Sequence, residues 1–214
     1  MQLFIGLTFR QNHLLYKKID SFRKRFDEKF TRSDILQMTL IPPFKMDGIT
    51  MFELQDIIED LSDDLDTHLS CCDIPCEVDF NGFDFQSGRK GIVFLKPSIP
   101  VDIFHCQENL SESVKGHGGV FNKHKNLAKS FSNDLQTFLP IGRSTDMELL
   151  KQAVDKAQIE FAQPFSLTAK DVVLFEKMPG QWIPRRVLFS FAETGENFQN
   201  ERSDFSLIKT PANL

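Results

Sequence analysis

The sequence predicts an α+β fold in which a strand–helix–strand–helix–strand order occurs twice. Short apolar runs of strand length alternate with longer stretches whose apolar residues recur at helical spacing. The order of elements over residues 1–86 returns over 90–192, as a pattern and not as residue identity. A chain of 214 residues, 41% hydrophobic and 26% charged, can bury a core without disulfides or metal, which argues against disorder. The physical expectation is two lobes of sheet and helix facing each other, with a polar tail from 194 to 214.

Residues 2–9 are apolar up to Arg10 and predict a buried strand. From Asn12 to Lys29, Leu14, Leu15, Ile19, Phe22 and Phe26 repeat at helical spacing, with basic residues on the other side. A strand over 35–41 is expected to stop at Pro42-Pro43. A second helix opens at Thr50 or at Asp47-Gly48, with Phe52, Leu54, Ile57, Ile58, Leu61 and Leu65 in one stripe. Residues 76–85 and 91–96 flank Ser87-Gly88, a hairpin signal. Helical stretches fall within 105–134, interrupted by Gly116, Gly118 and Gly119. A strand over 137–143, a helix over 146–162 opened by Ser144-Thr145-Asp146, and strands 165–177 and 182–192 around Pro179-Gly180 complete the chain.

The charge balance, 25 basic against 30 acidic residues, gives −5 and excludes wholesale nucleic-acid binding through global charge. Its distribution is uneven. Residues 1–46 hold nine Lys or Arg against four acids, and 52–73 hold eight acids and no Lys or Arg. Two solvated helix faces of opposite sign explain this, and a local basic patch is the functional alternative. The opening Leu3-Phe4-Ile5-Gly6-Leu7 is too short to span a bilayer, so no membrane is expected. Four cysteines in a chain of this size fit a reduced, cytoplasmic setting. The aromatic residues are 22 Phe, one Tyr and one Trp, a composition suited to packing rather than polar recognition.

Two stretches carry a family resemblance. Ile35-Leu36-Gln37-Met38-Thr39-Leu40-Ile41-Pro42-Pro43-Phe44 resembles the first His-x-Thr strand of the two-histidine phosphoesterase superfamily. That group includes the LigT-like 2′–5′ RNA ligases and cyclic nucleotide phosphodiesterases. Phe138-Leu139-Pro140-Ile141-Gly142-Arg143, 101 residues further on by comparison of Gln37 with Phe138, stands where the family has its second motif. The opening strand, Ala162-x-Pro164-Phe165 and Val172-Val173-Leu174-Phe175 before Trp182 are also similar. The resemblance implies a two-lobed, pseudo-symmetric LigT-like domain over 1–193, each lobe an antiparallel sheet with helices outside. Residues i and i+2 of a strand share a face, so the family's motifs bring two imidazoles and two hydroxyls to a phosphodiester. In the family one imidazole is the general base and the other the general acid.

Here the motif positions depart. Gln37 replaces the first His, Phe138 the second, and Pro140 the second Thr; Thr39 alone is kept. Glutamine hydrogen-bonds but does not shuttle protons near neutrality, Phe has no polar side-chain atom, and Pro lacks a hydroxyl and an N–H. General acid–base help is worth about 10² to 10⁴ in rate. No catalytic residues are therefore expected, and no cofactor. The resemblance leaves Gln37, Thr39 and Phe138 as ligand-binding residues, and a nucleotide or RNA end, or a protein, as partner. Without the resemblance, Gln37 reads as a polar strand residue and Phe138 as a core aromatic. Strict period-2 alternation aims Arg143 opposite to Phe138, toward solvent or a helix cap.

An active phosphodiesterase with relocated groups is the alternative function. His117 and His124, with Lys115, Lys123, Lys125 and Lys129, lie in a basic, Gly-interrupted segment that reads as a solvated loop or a phosphate-binding one. His13, His68 and His105 complete the histidines. His68, Cys71, Cys72 and Cys76 offer zinc-type donors, but the spacing lacks paired Cys-x-x-Cys knuckles, and no metal is expected.

Overall fold

The computed structural model describes residues 1–11, 14–30, 35–69, 76–88, 90–121 and 137–191. Among these are β1 (Gln2–Phe9), α1 (Leu14–Phe26), β2 (Gln37–Lys45), α2 (Met51–Leu69), β3 (Glu77–Gln86) and β4 (Gly91–Ser98). They continue with α3 (Val101–Gly116), β5 (Val120–Phe121), β6 (Leu139–Ser144), α4 (Met147–Glu160), β7 (Phe165–Met178) and β8 (Gln181–Ser190). The fold is α+β.

Helix α1 buries Tyr16, Ile19, Phe22 and Phe26, whereas Leu14 is exposed. Its charged side is tied down in part: Lys18 donates to the Glu160 carbonyl and Arg25 pairs with the Glu160 carboxylate at 3.0 Å. Helix α2 starts with a capping box in which Thr50 and Glu53 exchange hydrogen bonds, and these hold the Glu53 carboxyl below its ordinary pKa. Its buried stripe is Leu54, Ile58, Leu61 and Leu65; Phe52 is 83% exposed, contrary to the sequence expectation. Two residues of helix turn through about 200° relative to Leu54, so spacing overrides apolarity there.

Strand β2 does not stop at Pro42-Pro43 but runs to Lys45. The pairing steps from Ile5–Ile41 to Leu3–Phe44, so the prolines occupy an irregularity where their missing N–H groups are not needed. Helix α3 begins earlier than expected, directly after Pro100, where a fixed φ and absent N–H suit a helix start. The Asp146 side chain caps α4 by accepting from the Glu148 backbone at 2.8 Å. β7 and β8 form a hairpin whose turn places Gly180 at φ 86°, a left-handed value that glycine adopts without strain.

The sheet runs β5-β2-β1-β7-β3-β4-β6, with β8 also paired to β7, and its pairings are antiparallel. Long β7 joins two hydrogen-bonded groups. Its first residues pair with β3, and its later ones pair with β1 and β8. Hence β3 bonds into the group of β4 and β6, while β7–β8 bond into that of β1 and β2, across the boundary between the sequence halves. β2 and β6 contact each other although four strands separate them along the sheet, so the sheet curls until its motif strands meet. Ile5, Leu7, Ile19, Phe22, Met38, Val93, Leu139, Ile141 and Phe161 lie in the main core. No helix among the described residues is long and apolar enough to cross a membrane.

Candidate functional site

Strand pairing fixes which residues share a face. Thr8 lies across from Gln37, and Gly6 lies between Thr39 on β2 and Val173 on β7. Phe4 lies across from Phe175. Directly opposed residues of an antiparallel pair project to one face. This face, turned away from the main core, therefore carries Phe4, Gly6, Thr8, Gln37, Thr39, Val173 and Phe175. Gln37 and Thr39 are half-buried, and Leu36, Met38 and Leu40 are buried.

The aromatic residues beside Thr39 form their own cluster. Phe4 and Phe175 stack at 4.6 Å, and Trp182 meets Phe4 edge-on at 4.7 Å. Gly6 makes this possible. A Cβ there would lie 3.0 Å from Phe4, 3.2 Å from Phe175 and 3.3 Å from the Met38 carbonyl. The signal was present in the sequence as a lone glycine within an apolar strand, which marks close approach.

On the second motif strand, Phe94 opposes Pro140, and the Phe94 and Phe138 rings are 5.2 Å apart. Leu139 and Ile141 enter the core while Phe138 and Pro140 are half-buried. Phe138 is thus packed against one aromatic neighbour and not sealed in the core. Arg143 requires a correction. Ile141 is an extra residue with no partner on β4, so Gly142 opposes Val93 and Arg143 opposes Ile92. The bulge reverses the alternation and puts Arg143 on the face of Phe94 and Pro140, not opposite to Phe138. Its guanidinium lies 3.9 Å from the Asp27 carboxylate.

Gln107 on α3 ties the two motif segments together. Its buried amide donates to the Leu40 carbonyl at 2.7 Å and to Thr137 Oγ1 at 3.0 Å, next to Phe138. Leu40 is itself unpaired in the β1–β2 register, so the side chain satisfies a carbonyl that the strand ladder leaves over. Nothing in a helical polar residue announces a tertiary partner, so Gln107 carries no signal in the sequence for its bonds to Leu40 and Thr137.

The described histidines are elsewhere. His68, at the end of α2, has Nδ1 at 2.7 Å from the Asp64 carbonyl and Nε2 at 2.7 Å from the Asn109 amide. Those bonds occupy both nitrogens. His105 faces Glu108 at 3.7 Å, and His117, after α3, lies 3.3 Å from Asp60. Lys115 pairs with Glu112. His13, Cys71, Cys72, Lys123, His124, Lys125, Lys129 and the tail lie outside the described residues. Cys76 is half-buried at the start of β3, and no group of three or more metal-type donors gathers among the described residues.

No family model and no curated protein matches the chain. Among solved structures it is similar to one described as "Crystal structure of phosphoesterase", at 9% identity and a TM-score of 0.44 over 90% of this chain and 98% of that chain. A likeness this distant fixes neither family nor chemistry.

Proposed function

We propose that the chain is a non-catalytic module of the two-histidine phosphoesterase-like type, whose motif face binds a nucleotide or RNA end. One observation supports this above others: the faces built by β2 and β6 present Gln37, Thr39, Phe138 and Pro140, with no described histidine on either. A phosphodiester placed there meets hydrogen-bonding groups and an aromatic ring but no group that titrates near neutrality. Among the described residues neither the Gln37 nor the Thr39 side chain has a hydrogen-bond partner, which leaves both for a ligand. Phe138 supplies a stacking surface.

The test is turnover of 2′,3′-cyclic nucleotides and a 2′–5′-linked dinucleotide by the wild type beside Gln37→His/Phe138→His/Pro140→Thr, with nucleotide-induced melting shifts measured in parallel. The proposal expects a shift without turnover in the wild type. Turnover by the wild type that falls on replacing His117 or His124 would establish the alternative, a phosphodiesterase with relocated groups. Neither turnover nor shift would redirect the function to a protein partner.

A further inference from the structure

Backbone pairing brings basic residues from separate parts of the fold to one end of the β4–β6 pair, beyond the motif positions. After α1 the chain runs along the open edge of β6: Asp27 bridges to Arg143, and the Glu28 N–H donates to the Arg143 carbonyl at 2.9 Å. This brings Lys29 to the end of β6. Lys90 immediately precedes Gly91, which opposes Ser144, so it arrives at the same end of the β4–β6 pair as Arg143. Lys177 opposes Trp182 near the end of β7, with its ammonium 5.2 Å from the Trp182 ring. Partial burial first, and then the fields of Arg143, Lys90 and Lys177, lower the Lys29 pKa, with Asp27 opposing them.

Asp27 offsets part of this charge from below the surface, and the Glu28 carboxylate is engaged by Ser144 and Thr145. The Asp27 side chain is 1% exposed, accepts the Lys29 N–H at 3.0 Å and faces Arg143. Lys29, Lys90 and Lys177 are exposed. A chain of net charge −5 thus sets four cations here against two carboxylates, buried Asp27 and the Glu28 held by Ser144 and Thr145, and a polyanion matches the excess of positive charge.

We propose that Lys29, Lys90, Arg143 and Lys177 form a binding site for a run of phosphate groups. Exposed lysines suit phosphate as point charges, and the Arg143 guanidinium adds directional donors. Trp182, beside Lys177 and against Phe4, borders the site with an aromatic surface joined to the Thr39 face. Assigning the phosphates to an RNA end rests on the function proposed above; the phosphate site itself does not.

The experiment measures binding of inorganic tripolyphosphate and of a short single-stranded RNA from 50 to 200 mM salt. The proteins are wild type, Lys29→Gln/Lys177→Gln and Thr39→Ala/Phe138→Ala. Wild type is expected to bind both ligands. The lysine variant should lose about tenfold in affinity for both, and its RNA salt slope should fall by about 1.4, for two lost phosphate contacts at about 0.7 each. Its unliganded melting temperature should not fall. Absence of tripolyphosphate binding by the wild type, or unchanged affinity and slope in the lysine variant, would overturn the site. The Thr39/Phe138 variant separates the two ideas. Weaker RNA binding with intact tripolyphosphate binding upholds both, whereas RNA binding insensitive to Thr39 and Phe138 leaves the phosphate site standing without the nucleotide reading.

Discussion

Leu40 and Ile141 occupy equivalent places: each is the unpaired extra residue of a bulge that directly follows the second motif position of its strand. Both are buried, as are the residues after them, Ile41 and Gly142. Each motif pair is therefore followed by two consecutive residues turned to the core. A slip of register would expose buried groups on both strands, so the bulges hold the motif positions in phase.

The first bulge depends on Gln107. Gln107→Met keeps approximate volume but removes the donor to the Leu40 carbonyl and to Thr137. Leaving that buried carbonyl without a partner should cost about 1–3 kcal/mol, read as a lower urea midpoint with an unchanged slope.

Gly6→Ala tests the close approach beside Thr39. The added Cβ meets two aromatic rings and a carbonyl at 3.0 to 3.3 Å. Overpacking of this kind should cost about 1–3 kcal/mol. Near-ultraviolet dichroism should report the disturbed Trp182 environment, since that ring rests on Phe4.

Glu28 supplies a pH dependence. The Ser144 hydroxyl donates to its carboxylate at 2.5 Å, and Thr145 adds backbone and side-chain donors. Chiefly through Ser144, these hold its pKa below the ordinary 4.5. A depressed carboxyl stabilises the fold above its unfolded pKa and loses that contribution as pH falls through the folded one. Thermal melts from pH 6 to 3 should fall less steeply in Glu28→Gln than in wild type.

Phenylalanine residues should divide sharply by position. Phe22, fully buried against Phe26 and Phe161, should cost about 3–5 kcal/mol on change to alanine. Phe52→Ser, at an exposed helix position, should alter stability by less than about 0.5 kcal/mol. Denaturant titration of both variants checks the contrast.

That contrast shows what was legible in the sequence. Periodicity located β1, α1, α2 and the β7–β8 hairpin because each is specified by residues close in the chain. Phe52 shares the apolarity of the stripe but not its angular position, and on a helix position decides burial. The motif residues were visible through their alternation, but Arg143 was aimed wrongly because the bulge at Ile141 depends on pairing with β4. Gln107 and the basic cluster were hidden for the same reason: their partners lie on elements distant in sequence. The crossing of β3 and β7–β8 between the two hydrogen-bonded groups was hidden too, since a repeated order of elements does not state which strands pair.

The stretch from Asp27 to Glu28 along β6 also bears on self-association. Without it, β6 would offer a row of unpaired backbone groups to another chain. Asp27 and Glu28 close part of that row, β5 lies along the outer side of β2, and β8 carries Pro184, Arg185 and Arg186. Short covers, proline and charge are devices that deter strand-to-strand stacking. A chain with 22 phenylalanines has particular need of them, because an uncovered edge would turn the residues that build its core into the adhesive of an aggregate.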